Sequence, residues 1–140
     1  MVYAKIYSTL PEEACYIREA VFVEEQGFAD EFDKTDLSAT HFVLFVDREP
    51  AAVCRVFWDE DRKQYILGRV AVMPQFRRMG LGSAVIQAAE QYVSEQGGEA
   101  LHLHAQCRIT DFYEAIGYTS YGNIEDDQGC PHIWMQKSIG

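Results

Sequence analysis

The chain has 140 residues, 48% of them hydrophobic, with 8 Tyr and 8 Phe; this is enough for one sizeable core and excludes a disordered chain. Twelve basic against 22 acidic residues give a net charge of -10, a balance that repels phosphate backbones and excludes nucleic acid as an expected partner. No apolar run approaches the ~20 residues needed to span a bilayer, and Met1-Val2-Tyr3-Ala4-Lys5 lacks the apolar core of a signal peptide, so the expected setting is the cytoplasm, away from membranes.

In chain order, Val2–Tyr7 alternate apolar and polar residues, as a short strand does. Pro11-Glu12-Glu13 suits a first helical turn, with proline early and acids on the positive end of the dipole. That helix is expected to reach about Gln26 and stop at Gly27. Two β-rich runs, Thr40–Val46 and Ala51–Trp58, follow around the turn Asp47-Arg48-Glu49-Pro50. A polar turn at Asp59–Lys63 leads into a third, Gln64–Met73, so the three read as an antiparallel meander. After Pro74 the period changes: Leu81, Val85, Ala88 and Tyr92 recur at helical spacing up to Gly97-Gly98. A strand at Leu101–Ala105, reached by that helical crossover, should pair parallel to Gln64–Met73. A helix at about Thr110–Ile116 ends at Gly117, and strands near Tyr118–Asn123 and His132–Lys137 flank a turn at Glu125–Gly129. The order β-α-β-β-β-α-β-α-β-β is mixed α/β (α+β). No repeat or linker divides 1–140, so one domain is expected.

Four cysteines (Cys15, Cys54, Cys107 and Cys130) have no C-x-x-C spacing and are read as reduced thiols. His102 and His104 share a strand face but lack a third ligand nearby, so no metal is expected. Carboxylates crowd residues 12–36, opposed there only by Arg18 and Lys34. Two readings stay open: a solvated face, or a field that attracts a cationic amine.

The segment that carries chemistry is Arg69-Val70-Ala71-Val72-Met73-Pro74-Gln75-Phe76-Arg77-Arg78-Met79-Gly80-Leu81-Gly82-Ser83. It runs from apolar strand to basic loop to a helix opened by glycines. The amides of a helix N-terminus are unpaired and bind phosphate oxygens. Gly80 and Gly82 let backbone approach a pyrophosphate closely, and Arg77 and Arg78 add charge. Val85 breaks a G-x-G-x-x-G fingerprint, and Ser83-Ala84 replaces the Lys-Ser/Thr of a P-loop.

Here the sequence resembles a known family. Arg77-x-x-Gly80-x-Gly82, between strand and helix, is similar to the acetyl-CoA signature [RQ]-x-x-G-x-[GA] of the GNAT N-acetyltransferase superfamily. Asp111-Phe112-Tyr113-Glu114-Ala115-Ile116-Gly117-Tyr118 resembles a second family block. Arg18-Glu19-Ala20-Val21-Phe22-Val23-Glu24-Glu25-Gln26 and Cys130-Pro131-His132-Ile133-Trp134-Met135 look like the ElaA-like and YjcF-like branch. Where many members place Asn at the end of the fifth strand, this chain has His104 and Gln106.

The resemblance implies a GNAT fold, a mixed sheet of six to seven strands with about four helices. It implies an acetyl-CoA cosubstrate and direct transfer to the amine of a small molecule, held between the Arg18 helix and the His132 strand. The pantetheine would lie along Val70, Ala71 and Val72 like an added strand, and the pyrophosphate over Arg77, Arg78, Met79, Gly80, Leu81, Gly82 and Ser83. Gln106, Phe112 and Tyr113 would complete the cofactor site. Tyr113 matches the family's general acid, His132 is the candidate base, and Arg18 and Glu25 are candidate acceptor contacts, with Glu25 the reserve base. Structural roles remain open for these residues: core packing for Tyr113, a backbone bond for His132, pairing with acidic neighbours for Arg18. A non-catalytic acyl-CoA-binding module and a protein or peptide N-acetyltransferase are the alternative functions, and a homodimer is allowed.

Overall fold

A computed structural model describes residues 1–29 and 31–140. Among the described residues seven strands run in the chain order β1 Val2–Tyr7, β2 Thr40–Val46, β3 Glu49–Asp59, β4 Gln64–Val72, β5 Ala100–Gln106, β6 Thr119–Asp127 and β7 Cys130–Ser138. Three α-helices occur among the described residues, α1 Glu12–Arg18, α2 Leu81–Glu95 and α3 Thr110–Ala115. The hydrogen-bonded strand order is β1-β2-β3-β4-β5-β7-β6, the mixed α/β class expected. Two compact units make up the chain, Met1–Phe57 with Gly68–Ala89, and Trp58–Leu67 with Glu90–Gly140.

In the first unit, β1 and β2 pair antiparallel from Val2↔Val46 to Tyr7↔His41, and β2 pairs antiparallel with β3. Asp47 and Arg48 both adopt positive φ, at 48° and 75°. That two-residue, left-handed turn matches strand twist, so β3 starts at Glu49, earlier than the sequence suggests. These strands are covered by α1 and the π-helical turns of Glu19–Glu25 that continue it: Ala14 and Ile17 of the first and Val21 and Phe22 of the second pack with Val43, Phe45, Val53, Ala71 and Met73. Each is nearly or fully removed from water, and burying a side chain of Leu, Ile or Phe size contributes roughly 1.5–3 kcal/mol.

The helix that begins at Glu12 changes character at Glu19. Residues Glu19–Glu25 are π-helical: the Gln26 amide bonds the Val21 carbonyl at 3.0 Å, one residue further back than an α-helix allows. Gly27 then turns the chain at φ 79°, as its position predicts.

In the second unit, the start of β4 pairs parallel with β5 through Tyr65↔Leu101, Ile66↔His102 and Leu67↔Leu103. β5 and β7 pair antiparallel from Ala100↔Ser138 to Gln106↔His132, and β6 pairs with β7 with a register shift between Tyr121 and Glu125. The predicted turn at Glu125–Gly129 narrows accordingly, since β6 continues to Asp127. Tyr118 closes α3 against this layer, with its hydroxyl bonding Glu90 at 2.8 Å.

Candidate functional site

The predicted residues fall into two groups. Arg18, Glu25 and 70–83 belong to the first unit; Gln106, Phe112, Tyr113 and His132 belong to the second.

At the end of β4, Pro74–Phe76 make one 3₁₀ turn, and Arg78 and Gly80 take positive φ of 66° and 75°. A Cβ at Gly80 would meet nothing within 4 Å, so glycine is favoured there by backbone conformation, not by lack of room. The Ala84 amide makes the first helical bond, to Gly80 at 3.1 Å. The amides of Leu81, Gly82 and Ser83 therefore precede the first intrahelical donor, Ala84, and can serve an anion. α2 carries no acidic residue in its first turn. Donor amides at an open turn, with no carboxylate in the helix's first turn, are groups that suit an anion.

Arg77 is placed differently from the expectation. Its Nε donates to the Val72 carbonyl at 3.0 Å, and its Nη1 and Nη2 donate to the two carboxylate oxygens of Glu25 at 2.7 and 2.6 Å. The fork and the Val72 bond commit one N–H of each guanidinium nitrogen to the protein. Glu25, expected to contact the acceptor or act as a reserve base, is an ion-pair partner in this geometry.

Arg18 does not take the expected role of an acceptor contact; it takes the alternative, pairing with acidic neighbours. It is 0% exposed; Nε donates to Glu31 at 2.8 Å, Nη1 to Asp36 at 2.8 Å, and Nη2 to the Glu31 carbonyl and to Asp36. A guanidinium so engaged cannot grip an acceptor carboxylate. It organises a buried network instead. Arg55 binds Asp33 and Asp36 at 2.7 and 2.8 Å, and Arg69 binds the Glu31 carbonyl at 3.1 Å and its carboxylate at 3.0 Å. Burial alone raises carboxylate pKa values, and it does so for Glu31 despite its arginine neighbours. For Asp36 burial is outweighed by hydrogen bonds from Arg18, the Asp33 amide and Arg55, which hold its pKa well below the usual range.

Arg69 has a second property. It sits inside β4 at φ 53°, a left-handed conformation rare for a side-chain-bearing residue. Regular extended geometry is thus interrupted just before Val70–Val72. The network was partly legible: Arg55 lies in the apolar run Val53–Val56, and a charge buried there requires a partner. Beside the network an open pocket of about 350 Å³ is lined by Glu19, Val23, Glu24, Ala29, Glu31 and Phe32.

In the second unit, His132 is 7% exposed, and its Nδ1 lies 2.8 Å from the Cys130 carbonyl. A carbonyl only accepts, so the proton is assigned to Nδ1 and the Nε2 lone pair is left as the basic atom. The backbone bond expected as a structural role thus also sets the tautomer a base needs. The His104 ring lies 5.0 Å from that of His132 and stacks on Trp134 at 4.8 Å, with Nε2 3.2 Å from Glu125. Burial first, then the His132 charge, lowers the His104 pKa. Gln106 accepts from Arg108 Nε at 2.7 Å. Tyr113 is 6% exposed and meets Phe112 and Tyr118 edge-on at 5.1 and 6.0 Å. The four cysteines are free thiols, and burial pushes the Cys54 thiol far up.

Comparison with known proteins agrees with this architecture. A family model described as an acetyltransferase (GNAT) domain matches residues 8–139. An unconfirmed acetyltransferase of Bacillus subtilis (strain 168) is 36% identical over 126 residues, 86% of this chain and 84% of that protein. The uncharacterized N-acetyltransferase YjcF of the same organism is 30% identical over 129 residues, 90% and 91% of the two chains. The crystal structure of Escherichia coli ElaA superposes with a TM-score of 0.84 at 24% identity, over 98% of this chain and 99% of that one, a likeness of fold. With its family model, its relatives and its fold in agreement, the chain belongs to the GNAT acetyltransferase family.

Proposed function

We propose that this protein moves an acetyl group from acetyl-CoA to the amine of a small molecule by direct transfer in a ternary complex. The observation that carries the reading is the start of α2, where left-handed Arg78 and Gly80 precede the donor amides of Leu81, Gly82 and Ser83. Exposed Arg78 adds charge at the same loop. Backbone groups of Val70 and Val72 pair with the pantetheine, beyond the left-handed Arg69 that interrupts β4. Acetyl-CoA, when bound, supplies the activated thioester.

The chain's own residues have three tasks. An alkyl ammonium of pKa ~10 is only about one part in a thousand neutral at pH 7, a penalty of roughly 4 kcal/mol; His132, through Nε2, takes that proton. An amide near Val70 or Val72 faces the oxyanion as it develops. Tyr113 returns a proton to the departing thiolate. A small cationic acceptor is supported by the pocket that Glu19, Glu24 and Glu31 line with Val23 and Phe32.

Acetyl-CoA binding tests the cofactor half. Millimolar acetyl-CoA should raise the melting temperature of the wild type, by about 2.7 kcal/mol of added stability at a hundredfold excess over Kd. Gly82→Glu should fold yet lose the shift, because its carboxylate occupies the phosphate position. A folded wild type that shows no shift removes the basis of the proposal.

His132→Ala tests the base. A proton acceptor gives kcat/KM an ascending limb with rising pH, and the variant should lower turnover and flatten that limb while keeping acetyl-CoA binding. Identical profiles in wild type and variant would assign His132 a structural role.

A further inference from the structure

The stretch of β4 proposed to hold the pantetheine, Val70–Val72, is bracketed by two arginines that both reach the same neighbouring segment. Arg69, before it, is tied to Glu31 through the carbonyl and the carboxylate. Arg77, after it, is tied to Glu25 through a two-pronged fork, with Nε fixed on the Val72 carbonyl. Glu25 closes the π-helical segment, and Glu31 lies in the chain that follows. Between them this segment supplies the whole lining of the 350 Å³ pocket: Glu19, Val23, Glu24, Ala29, Glu31 and Phe32.

We infer that Arg77 is a positioning residue, a clamp from Glu25 to the end of β4 that holds the pocket-forming segment in register with the cofactor strand. The inference rests on the acyltransferase reading for its catalytic consequence, but not for its structural one. Three features argue for it over a phosphate role. The guanidinium meets both oxygens of one carboxylate, an arrangement that adds geometric specificity to charge. The third nitrogen bonds the β4 backbone itself, so the clamp acts directly on the strand. The segment that ends at Glu25 is π-helical and departs from α-helical bonding at Gln26, whose amide reaches Val21, and the Arg77 fork holds that irregular end from outside. The part-buried Arg69–Glu31 contact anchors the other end, and the exposed Arg77–Glu25 contact completes the hold.

The test compares Glu25→Gln, Arg77→Gln and Arg77→Lys by hydrogen exchange of residues 19–28, by calorimetric titration with CoA, and by steady-state kinetics with any accepted amine. A clamp predicts faster exchange in all three, by about fivefold for a partly exposed bidentate pair. It predicts CoA affinity within about threefold of wild type and acceptor KM raised about fivefold. Lysine keeps the charge but not the fork, so Arg77→Lys should resemble Arg77→Gln. The inference is overturned if exchange is unchanged. It is also overturned if Arg77→Gln weakens CoA tenfold or more, Arg77→Lys restores it and Glu25→Gln tightens it, the pattern of a phosphate ligand. If no amine is accepted, the acyltransferase reading fails, while exchange and CoA titration still decide the clamp.

Discussion

Replacing Tyr113 with phenylalanine is expected to lower kcat by roughly 10²-fold while acetyl-CoA KM stays similar. The variant isolates the hydroxyl. Tyr113 is buried, and its edge-on contacts to Phe112 and Tyr118 involve the ring, so phenylalanine keeps them. Loss of a general acid acts on the departure of the thiolate, a step later than cofactor binding, and it therefore appears in kcat rather than KM. Circular dichroism and acetyl-CoA titration should show a folded, binding-competent variant. An unchanged kcat, measured where chemistry limits the rate, would make Tyr113 a core residue only.

Replacing Arg18 with alanine is expected to destabilise the fold by about 3–5 kcal/mol, the usual cost of leaving buried charges without a partner. Glu31 and Asp36 are both buried and both accept from Arg18. Arg55 and Arg69 remain to neutralise part of the charge, which sets the estimate at the lower end. Urea denaturation at pH 7 gives the number. A loss below about 1 kcal/mol would mean that the remaining arginines suffice.

The same network sets an acid dependence. Asp36 and Asp33 have folded pKa values below their unfolded ones. Their stabilisation is complete above the unfolded value, about 3.9, and is lost as pH falls through the lower folded values. Glu31 runs in the opposite sense: its raised pKa means that its cost at neutral pH is relieved when it is protonated. A net acid loss therefore belongs to the two aspartates.

Much of this molecule is readable from local pattern. Val2–Tyr7 alternate and form β1; Leu81, Val85, Ala88 and Tyr92 share a helical face and lie on α2; Gly27 and Gly117 end helical turns with positive φ. The donor amides after Gly80 follow from the glycine spacing. What escapes is set by partners distant in sequence. Nothing around Arg77 shows that its partner is Glu25, 52 positions earlier. Arg18 has a carboxylate-rich neighbourhood in sequence, yet only folding chooses Glu31 and Asp36 and buries all three. The π-helical Glu19–Glu25 shares its apolar spacing with an α-helix, so periodicity alone misses it. The stacking of His104 on Trp134 and its approach to His132 depend on the register between β5 and β7, which no single strand encodes.

The most direct measurement of the central claim is release of free CoA thiol from acetyl-CoA across a panel of small amines, with the acetylated product identified by mass spectrometry. The expected result is thiol release that depends on one chemical class of amine, matches acetylated amine one for one, and falls about 10²-fold in Tyr113→Phe. Acetyl-CoA that binds to the folded protein without transfer to any amine, peptide or protein would contradict the account and leave an acyl-CoA-binding module.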